Sequence, residues 1–432
     1  MFAMQKRGEW QMAEQNRIYF CIDMKSFFAS VECVERGLNP FETNLVVADE
    51  SRGQGGICLA ISPKMKALGV KNRCRIFEIP KTMEYIIAKP RMKKYIEYAG
   101  DIYEIYLKYL SPDAIHVYSI DECFIDATDY IHVHKTTPKD FAKMLMDEIA
   151  IKVGIPATAG IGSNMYLAKI ALDITAKKVP DHIGYLDEEL FKNTLWHHTP
   201  ITDFWGISKG TEKRLAKMYI TDMYGITICP EKRLYKEFGI NAELLIDHAF
   251  GKEPCTMQDI KKYKAKSKSI SNSQILFRDY DYKGAKLALD EMVLNLCQQM
   301  IKEKVIAGGI SVSVRYSKDV TPPTGGSMKM LRATNVYSII KEYVDKLYQK
   351  FTDKNAPIRK LGISFYGIAD ESSEGFDLFT DENAVQKEKA LERTVISIKE
   401  KFGKNAMLRG MDLQEDATAK ERNKLVGGHN GE

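Results

Sequence analysis

Three acidic residues lie where short apolar strands are predicted to end. Asp23 follows the apolar run at 17–22 and precedes SFFASVECVERG, whose spacing predicts a helix that stops at Gly37. Asp121 and Glu122 stand in the middle of AIHVYSIDECFIDAT, a stretch rich in Ile, Val, Tyr and Phe that predicts a pair of strands. An acidic pair there most simply occupies a turn or a strand end.

Carboxylates held rigidly on a sheet can bind two hard divalent cations about 3.5–4 Å apart, as two-metal phosphoryl transfer requires. In such a site Asp23 and Asp121 would bridge both ions. Glu122 would complete the shell of the ion that activates the attacking hydroxyl, and the Met24 carbonyl could serve the other. No catalytic histidine is needed, because this chemistry depends on positioning and charge neutralisation. Spacing alone leaves open that the three acids are solvated caps.

The elements around these acids predict a multidomain α+β protein. NLVVADESRGQGGICLAISPKMKALGVKNRC predicts two strands, a Gly-rich turn and a short basic helix, in a small lobe inserted between two halves of a sheet. VGIPATAGIGSNMYLAKIALDITAKK predicts a strand, a Gly turn and a helix, and residues 186–256 are mainly helical. The basic, Ser-rich segment 257–268 is typical of a linker. Residues 269–368 predict one more unit with the order β, α, β, α, β, and the tail is acidic before it becomes helical.

Composition and charge narrow the class of protein. The 432 residues with 44% apolar content suffice for several domains, and the sequence shows neither a signal peptide nor a membrane span, so a cytoplasmic protein is expected. Eight cysteines without a CxxC pair indicate reduced thiols rather than disulfides or zinc. Residues 261–370 hold 20 Lys and Arg against 10 Asp and Glu, a net of +10. Such a block favours a polyanion-binding module, although a solvated lysine-rich surface is the alternative.

Four ordered sequence blocks resemble the signature blocks of Y-family DNA polymerases, especially the bacterial UmuC-like branch. They are DMKSFFASVE at 23–32, LAISPKMKALGV at 59–70, YSIDECFID at 118–126 and AGIGSNMYLAKIALD at 159–173. The resemblance extends from about Ile18 to Gly367. It implies a right-hand polymerase with a ferredoxin-like palm, small fingers, a helical thumb and an α/β little-finger domain. The implied boundaries are 17–26 and 93–185 for the palm, 27–92 for the fingers, 186–256 for the thumb, 257–268 for a linker, 269–368 for the little finger and 369–432 for the tail.

The resemblance also implies residue roles at the nucleotide. It places the metal ligands on Asp23, Asp121 and Glu122. It makes Phe28 a steric gate under the incoming sugar, whereas a Phe-Phe pair by itself is more often core. The backbone N–H groups of Ser26 and Phe27 open a helix and suit a triphosphate oxygen.

Two lysines match the triphosphate clamps of the family, namely Lys66 and Lys177, with Lys178 an alternative to the latter. At Pro63 many relatives carry a Tyr that helps hold the triphosphate. A proline has no side-chain or backbone donor, so phosphate binding here is expected to depend more on lysine charge.

Three further features are interpreted as DNA or partner contacts. WGISKG at 205–210 resembles the hairpin of helix-hairpin-helix elements, with Gly206 and Gly210 near a DNA phosphate, although a packing corner is the alternative. Arg315, in the alternating GISVSVRYS, is named as a DNA contact. GFDLF at 375–379 resembles a clamp-binding peptide. Its apolar side chains would fill a pocket on a sliding clamp unless they pack on the protein's own core; these are Phe376, Leu378 and Phe379.

The function implied by the resemblance is template-directed addition of deoxynucleotides to a primer, with low fidelity and bypass of damaged bases. The implied cofactor is a pair of Mg²⁺ ions, with Mn²⁺ in their place as a variant. The implied partners are primer-template DNA, deoxynucleoside triphosphates and a sliding clamp. Two alternatives are a palm-fold nucleotide cyclase, which the basic block disfavours, and a non-catalytic DNA-binding scaffold, which the presence of all three acids disfavours.

Overall fold

The protein divides into two compact units. The computed structural model describes residues 17–264, 268–318, 320–375 and 381–431. The first unit extends to Tyr263 and the second runs from Lys264 to Gly431. None of the helices within these ranges combines the length and apolar character that a bilayer crossing requires.

Two sheets form the framework of the first unit. Its strands are β1 (Tyr19–Met24), β2 (Leu45–Val47), β3 (Ala60–Ile61), β4 (Ile86–Ala88), β5 (Ile115–Val117), β6 (Glu122–Asp126), β7 (Ala157–Gly162) and β8 (Ile183–Leu186). The larger sheet has the order β5-β6-β1-β7-β8, and the smaller has the order β3-β2-β4. Strand β1 is central and antiparallel to both β6 and β7. A central strand without a free edge must be apolar on both faces, and residues 19–22 are fully buried.

Twelve helices are described in the first unit. They are α1 (Phe27–Val34), α2 (Pro63–Ala67), α3 (Met92–Leu107), α4 (Thr128–Val133), α5 (Pro138–Val153), α6 (Met165–Ile170), α7 (Glu188–Leu195), α8 (Lys209–Ala216), α9 (Met223–Ile228), α10 (Glu231–Phe238), α11 (Asn241–Ala249) and α12 (Met257–Lys262). Helices α3 and α5 cover one face of the larger sheet, where Phe20 and Ile22 share a core with Phe141 and Ile149. Helices α7 to α11 enclose a separate core.

The second unit is a four-stranded antiparallel sheet covered by long helices. Its elements are β9 (Ser269–Tyr280), α13 (Tyr282–Glu303), β10 (Val305–Tyr316), β11 (Thr324–Thr334), α14 (Tyr337–Phe351), β12 (Ile358–Asp370), α15 (Glu382–Phe402), α16 (Ala419–Arg422), β13 (Leu425–Val426) and β14 (His429–Asn430). The sheet order is β11-β10-β12-β9. The segment after α15 docks on α13, where Thr418 donates two hydrogen bonds to the buried Glu291 carboxylate.

Two local predictions need correction. The predicted β, α, β, α, β order lacks strand β11, whose sequence TGGSMKMLRAT shows little apolar alternation because this edge strand buries few side chains. Within the predicted linker, Met257–Lys262 form helix α12. A reciprocal capping box between Thr256 and Asp259 starts this helix, and Met257 is buried.

Candidate active site

The three acids predicted to cooperate lie on adjoining positions of the larger sheet. Asp23, near the end of β1, is the direct cross-strand partner of Glu122, the first residue of β6. The backbone N–H of Met24 donates to the Asp121 carbonyl at 3.0 Å, which holds the loop before β6 against β1. Burial and the nearby Asp121 and Glu122 charges raise the pKa of Asp23 to about 7. The structure therefore places the three acids at neighbouring backbone positions.

Glu122 is held on its far side by a buried lysine that the sequence reasoning missed. Lys169 of α6 forms an ion pair with the Glu122 carboxylate at 2.9 Å, and the Cys21 thiol donates to Glu122 Oε1 at 3.0 Å. Lys169 also pairs with Asp173 at 3.2 Å. Both Lys169 and Glu122 are buried. Burial lowers the pKa of Lys169, but the nearby Asp173, Cys21 and Glu122 outweigh this effect and raise the pKa above its usual value.

Polar contacts hold two of the three acid side chains. Asp121 Oδ1 accepts a hydrogen bond from Ser119 Oγ at 2.6 Å, and Glu122 is engaged by Lys169 and Cys21. In the ranges that the structure describes, no three His, Cys, Asp or Glu side chains are arranged to hold a metal ion as they stand.

Two glycines explain how Lys169 reaches the sheet. An ideal Cβ on Gly160 would lie 2.0 Å from the Ala168 carbonyl oxygen, and one on Gly162 would lie 2.2 Å from the Ala168 nitrogen. Helix α6 can therefore lie directly on β7. The chain continues as a π-helical turn at Ala171–Thr175, a feature frequently found at functional sites. The alternate glycines of AGIGSN are the sequence signal for this close approach.

Phe28 lies at the start of α1, and its ring packs against a second aromatic ring. It stacks on Tyr95 with ring centroids 4.4 Å apart and an angle of 16° between the planes. Tyr95 is fully buried, and its hydroxyl donates to Glu32 at 2.8 Å. Arg91 donates from Nε and from a terminal nitrogen to the two Glu32 oxygens, each at 3.0 Å. Phe27 points into the core instead.

The backbone before α1 has a left-handed turn. Ser26 has φ 50° and does not cap the helix with its side chain, and its hydroxyl is buried without a hydrogen-bond partner among the described atoms. A helix start carries N–H groups without partners inside the helix, and these groups attract anions. The geometry is suited to the predicted use of the Ser26 and Phe27 N–H groups.

A group of lysines lies near the acids. Burial lowers the pKa of Lys66, while Asp23 and Asp121 act on it as nearby acids and Lys177 as a nearby cation. Burial and the charge of Lys66 lower the pKa of Lys25 to about 8. Lys25 was not chosen from the sequence, although its position inside DMKSFFASVE was a signal.

Pro63 has a local structural role in this region. It opens helix α2, which carries Lys66, and Ser62 caps that helix. Proline is favoured at the first helical position because the missing N–H would have no partner there.

Comparisons with known proteins identify relatives of this chain. The sequence matches the impB/mucB/samB family over residues 22–173 and the C-terminal domain of that family over residues 267–378. The putative UV-damage repair protein UvrX of Bacillus subtilis (strain 168) is 31% identical over 419 residues, which cover 95% of this chain and 96% of that protein. DNA polymerase IV 2 of the same organism is 32% identical over 424 residues, covering 96% and 99%. The chain belongs to the Y-family of DNA polymerases.

A solved structure shows the same fold. A Y-family DNA polymerase chimera of Dbh and Dpo4 has a TM-score of 0.62 at 22% sequence identity, covering 82% of this chain and 99% of that chain. The predictions of a multidomain α+β polymerase fold and of a DNA-directed DNA polymerase are confirmed. The nucleotide cyclase alternative is not favoured.

The hairpin of this Y-family polymerase lies between a 3₁₀ turn at Ile201–Asp203 and α8. Gly206 has φ +89°, a backbone conformation that side chains other than glycine rarely adopt. Ser208 caps α8 by accepting from the Thr211 N–H at 3.2 Å. Gly210 lies in the first turn of α8 rather than in the turn before it.

The face of the second unit's sheet opposite the buried valines of β10 carries polar side chains, several of them small. Val312 and Val314 are buried, so Ser311, Ser313 and Arg315 of β10 lie on the opposite face. Ser311 is paired with Ser327 on one side and Ser364 on the other. Arg315 is exposed and stands opposite Lys360.

The predicted clamp-binding residues Phe376, Leu378 and Phe379 lie outside the described residues. Just before them, Glu374 and Glu371 both pair with the buried Lys389 of α15, the latter at 2.8 Å.

Proposed function

We propose that this polymerase extends a primer on template DNA by two-metal phosphoryl transfer, using Mg²⁺ or Mn²⁺ held by Asp23, Asp121, Glu122 and the Met24 carbonyl. The observation that carries the proposal is the strand register that sets Asp23 opposite Glu122. In addition, the Asp121 carbonyl accepts a hydrogen bond from the N–H of Met24, the next residue of β1. Carboxylate and carbonyl oxygens are the donors that hard divalent cations prefer. The bound ions would activate the primer hydroxyl and neutralise the charge on the phosphates.

The chain's own residues prepare the acids for this task. Burial, and after it the like charges of Asp121 and Glu122, raise the pKa of Asp23, and a cation bound here would relieve the repulsion between the carboxylates. Lys169 supplies a positive charge to Glu122 and Asp173 and holds them in place.

The nucleotide would lie between the lysines and the start of α1. Lys66 and Lys177 would bind the triphosphate with their charge, and Lys25 is a further cation at the same place. The Ser26 and Phe27 N–H groups would donate to a phosphate oxygen. Phe28 would form the floor under the sugar, and its stack on Tyr95 leaves the ring little room to retreat from a 2′-hydroxyl.

Primer-template DNA would be held through its phosphates. The turn at Gly206 and the start of α8 near Gly210 present backbone N–H groups, and the Ser-rich face beside Arg315 lets a backbone approach closely. Phe376, Leu378 and Phe379 would bind a sliding clamp as an extended peptide. One relative is named for UV-damage repair, and we assign synthesis past damaged bases to this chain as well.

The test is primer extension by the Asp121→Asn, Glu122→Gln double variant, with Mg²⁺, on an undamaged and on an abasic template. Both substitutions keep side-chain size but remove the negative charges that would bind the ions. We therefore expect extension to be abolished while the affinity for the DNA duplex stays within about twofold. Asp126→Asn is the matched control, because Asp126 ends the same strand and its carboxylate accepts hydrogen bonds from Thr128, away from the three acids. Normal extension by the double variant would refute the two-metal assignment.

A further inference from the structure

Residues 118–121, here called the acid loop, are held by hydrogen bonds to Glu122 and to β1. The N–H groups of Tyr118 and Ser119 both donate to the Glu122 carbonyl, at 3.0 and 3.1 Å. Ser119 Oγ donates to Asp121 Oδ1 at 2.6 Å, and the Asp121 carbonyl accepts from Met24. Because these hydrogen bonds restrain the loop, a displacement of Tyr118 would also displace Asp121 and Glu122.

The Tyr118 side chain leaves this loop in the direction of the hairpin. The indole N–H of Trp205 donates to the Tyr118 hydroxyl at 3.1 Å. The two rings meet edge to face, with centroids 6.0 Å apart and planes at 78°. Phe124 of β6 supports both rings, at 5.6 Å from Tyr118 and 6.4 Å from Trp205. Tyrosine is 45% exposed here, so the contact is not explained by core packing alone.

Trp205 immediately precedes the turn proposed to hold a DNA phosphate. Gly206 follows with φ +89°, and Ser208 caps the helix that comes next. One hydrogen bond and an edge-to-face contact thus join the acid loop to the hairpin, although 87 residues separate the two side chains in the chain. Aromatic pairs of this kind add about 0.5–1.5 kcal/mol beyond area burial.

We infer that Tyr118 and Trp205 form a latch that sets the distance between the metal-binding acids and the primer phosphates. This inference rests on the proposed function. In-line attack requires reacting atoms about 3–3.5 Å apart, and small displacements from this geometry are costly. Without the Tyr118–Trp205 contact, DNA would still bind at the hairpin. Its primer end would occupy the reactive position beside the acids less often. Tyr118 and Trp205 are therefore positioning residues rather than catalytic ones.

The experiment measures single-nucleotide insertion by Tyr118→Phe, Trp205→Phe and the double variant. Both substitutions keep an aromatic ring, so we expect the fold to be kept. Tyr118→Phe removes only the hydrogen bond, whereas Trp205→Phe also removes part of the ring contact with Tyr118 and Phe124. The net value of a hydrogen bond corresponds to a fall of about 2- to 10-fold in kcat. We expect that fall in each single variant, with KM for the nucleotide and Kd for primer-template DNA within about twofold of the parent. Because both changes remove the same hydrogen bond, the double variant should be no slower than Trp205→Phe alone.

Two control variants test whether the effect is specific. Trp196→Phe removes an indole N–H bond to the Ala249 carbonyl at 2.8 Å, and Tyr130→Phe removes a hydroxyl bond to Ser111 at 2.9 Å. Neither bond connects to the acid loop, so kcat should stay unchanged. An unchanged kcat in Trp205→Phe, additive losses in the double variant, or a loss confined to DNA affinity would each overturn the latch. Failure of the parent protein to extend any primer would instead overturn the proposed function, and the latch with it.

Discussion

Replacing Phe28 with Ala should let the polymerase accept ribonucleotides, and the structure indicates how strongly. The Phe28 ring cannot move down, because Tyr95 beneath it is fully buried and is held by its bond to Glu32. A 2′-hydroxyl over this floor must therefore be accommodated by overpacking, which costs about 1–3 kcal/mol. At 1.36 kcal/mol for each tenfold change in rate, this cost equals about 5- to 150-fold in selectivity. The rigid support places the expected loss near the upper value, about 100-fold.

The assay compares kcat/KM for a deoxynucleotide and for the matching ribonucleotide on one primer-template. Phe28→Ala should raise the ribonucleotide value far more than it changes the deoxynucleotide value. Phe27→Leu is the matched control, since the neighbouring Phe27 ring is buried in the core and should affect stability without affecting sugar choice. If Phe28→Ala extends with deoxynucleotides yet discriminates between the sugars as well as the parent, the steric-gate reasoning is wrong.

Three further predictions follow from charged groups. Lys25→Met should raise KM for the nucleotide about tenfold or more, the value of a charge-assisted bond, whereas Lys232→Met, at an exposed lysine of α10, should change it little in the same steady-state assay. Equal effects would argue against a phosphate contact at Lys25. Burial alone would raise the pKa of Glu32, but its hydrogen bonds outweigh burial and lower it. Ionised Glu32 therefore stabilises the fold above the ordinary pKa of a Glu side chain. This stabilisation is lost as the pH falls through the lowered pKa of Glu32. Glu32→Gln should cost about 1.5–3 kcal/mol at pH 7 and progressively less below about pH 4 in urea unfolding, and a pH-independent loss would contradict this. Arg315→Gln should weaken DNA binding and reduce the slope of log affinity against log salt by about 1 in a titration, while an unchanged slope would remove Arg315 from the phosphate contacts.

The local elements that carry the candidate active site could be predicted because short-range sequence patterns encode them. The strand before Asp23, the helix after it and the acidic pair within YSIDECFID each follow from short-range patterns of apolar and polar residues. The same holds for β10, where alternation puts Val312 and Val314 on one face and Arg315 on the other. Patterns failed where an element buries little, as at the edge strand β11, whose few buried positions leave no alternation to detect.

The residues that support the acids could not be predicted in the same way. Lys169 lies in a helix where a lysine is usually solvated, and its burial depends on the close approach that Gly160 and Gly162 permit. Tyr118 and Trp205 are 87 positions apart, and no local pattern pairs them.

The amino-acid sequence by itself determined which acids and lysines are candidates for binding metal and phosphate, and near which strand or helix each one lies. These properties depend on residue type and on neighbours within a few positions. Only the tertiary structure decided that Asp23 faces Glu122, that Lys169 occupies the Glu122 carboxylate and that Phe28 rests on Tyr95. Such pairings depend on strand register and helix packing, which are settled by the burial of the whole core rather than by any short segment.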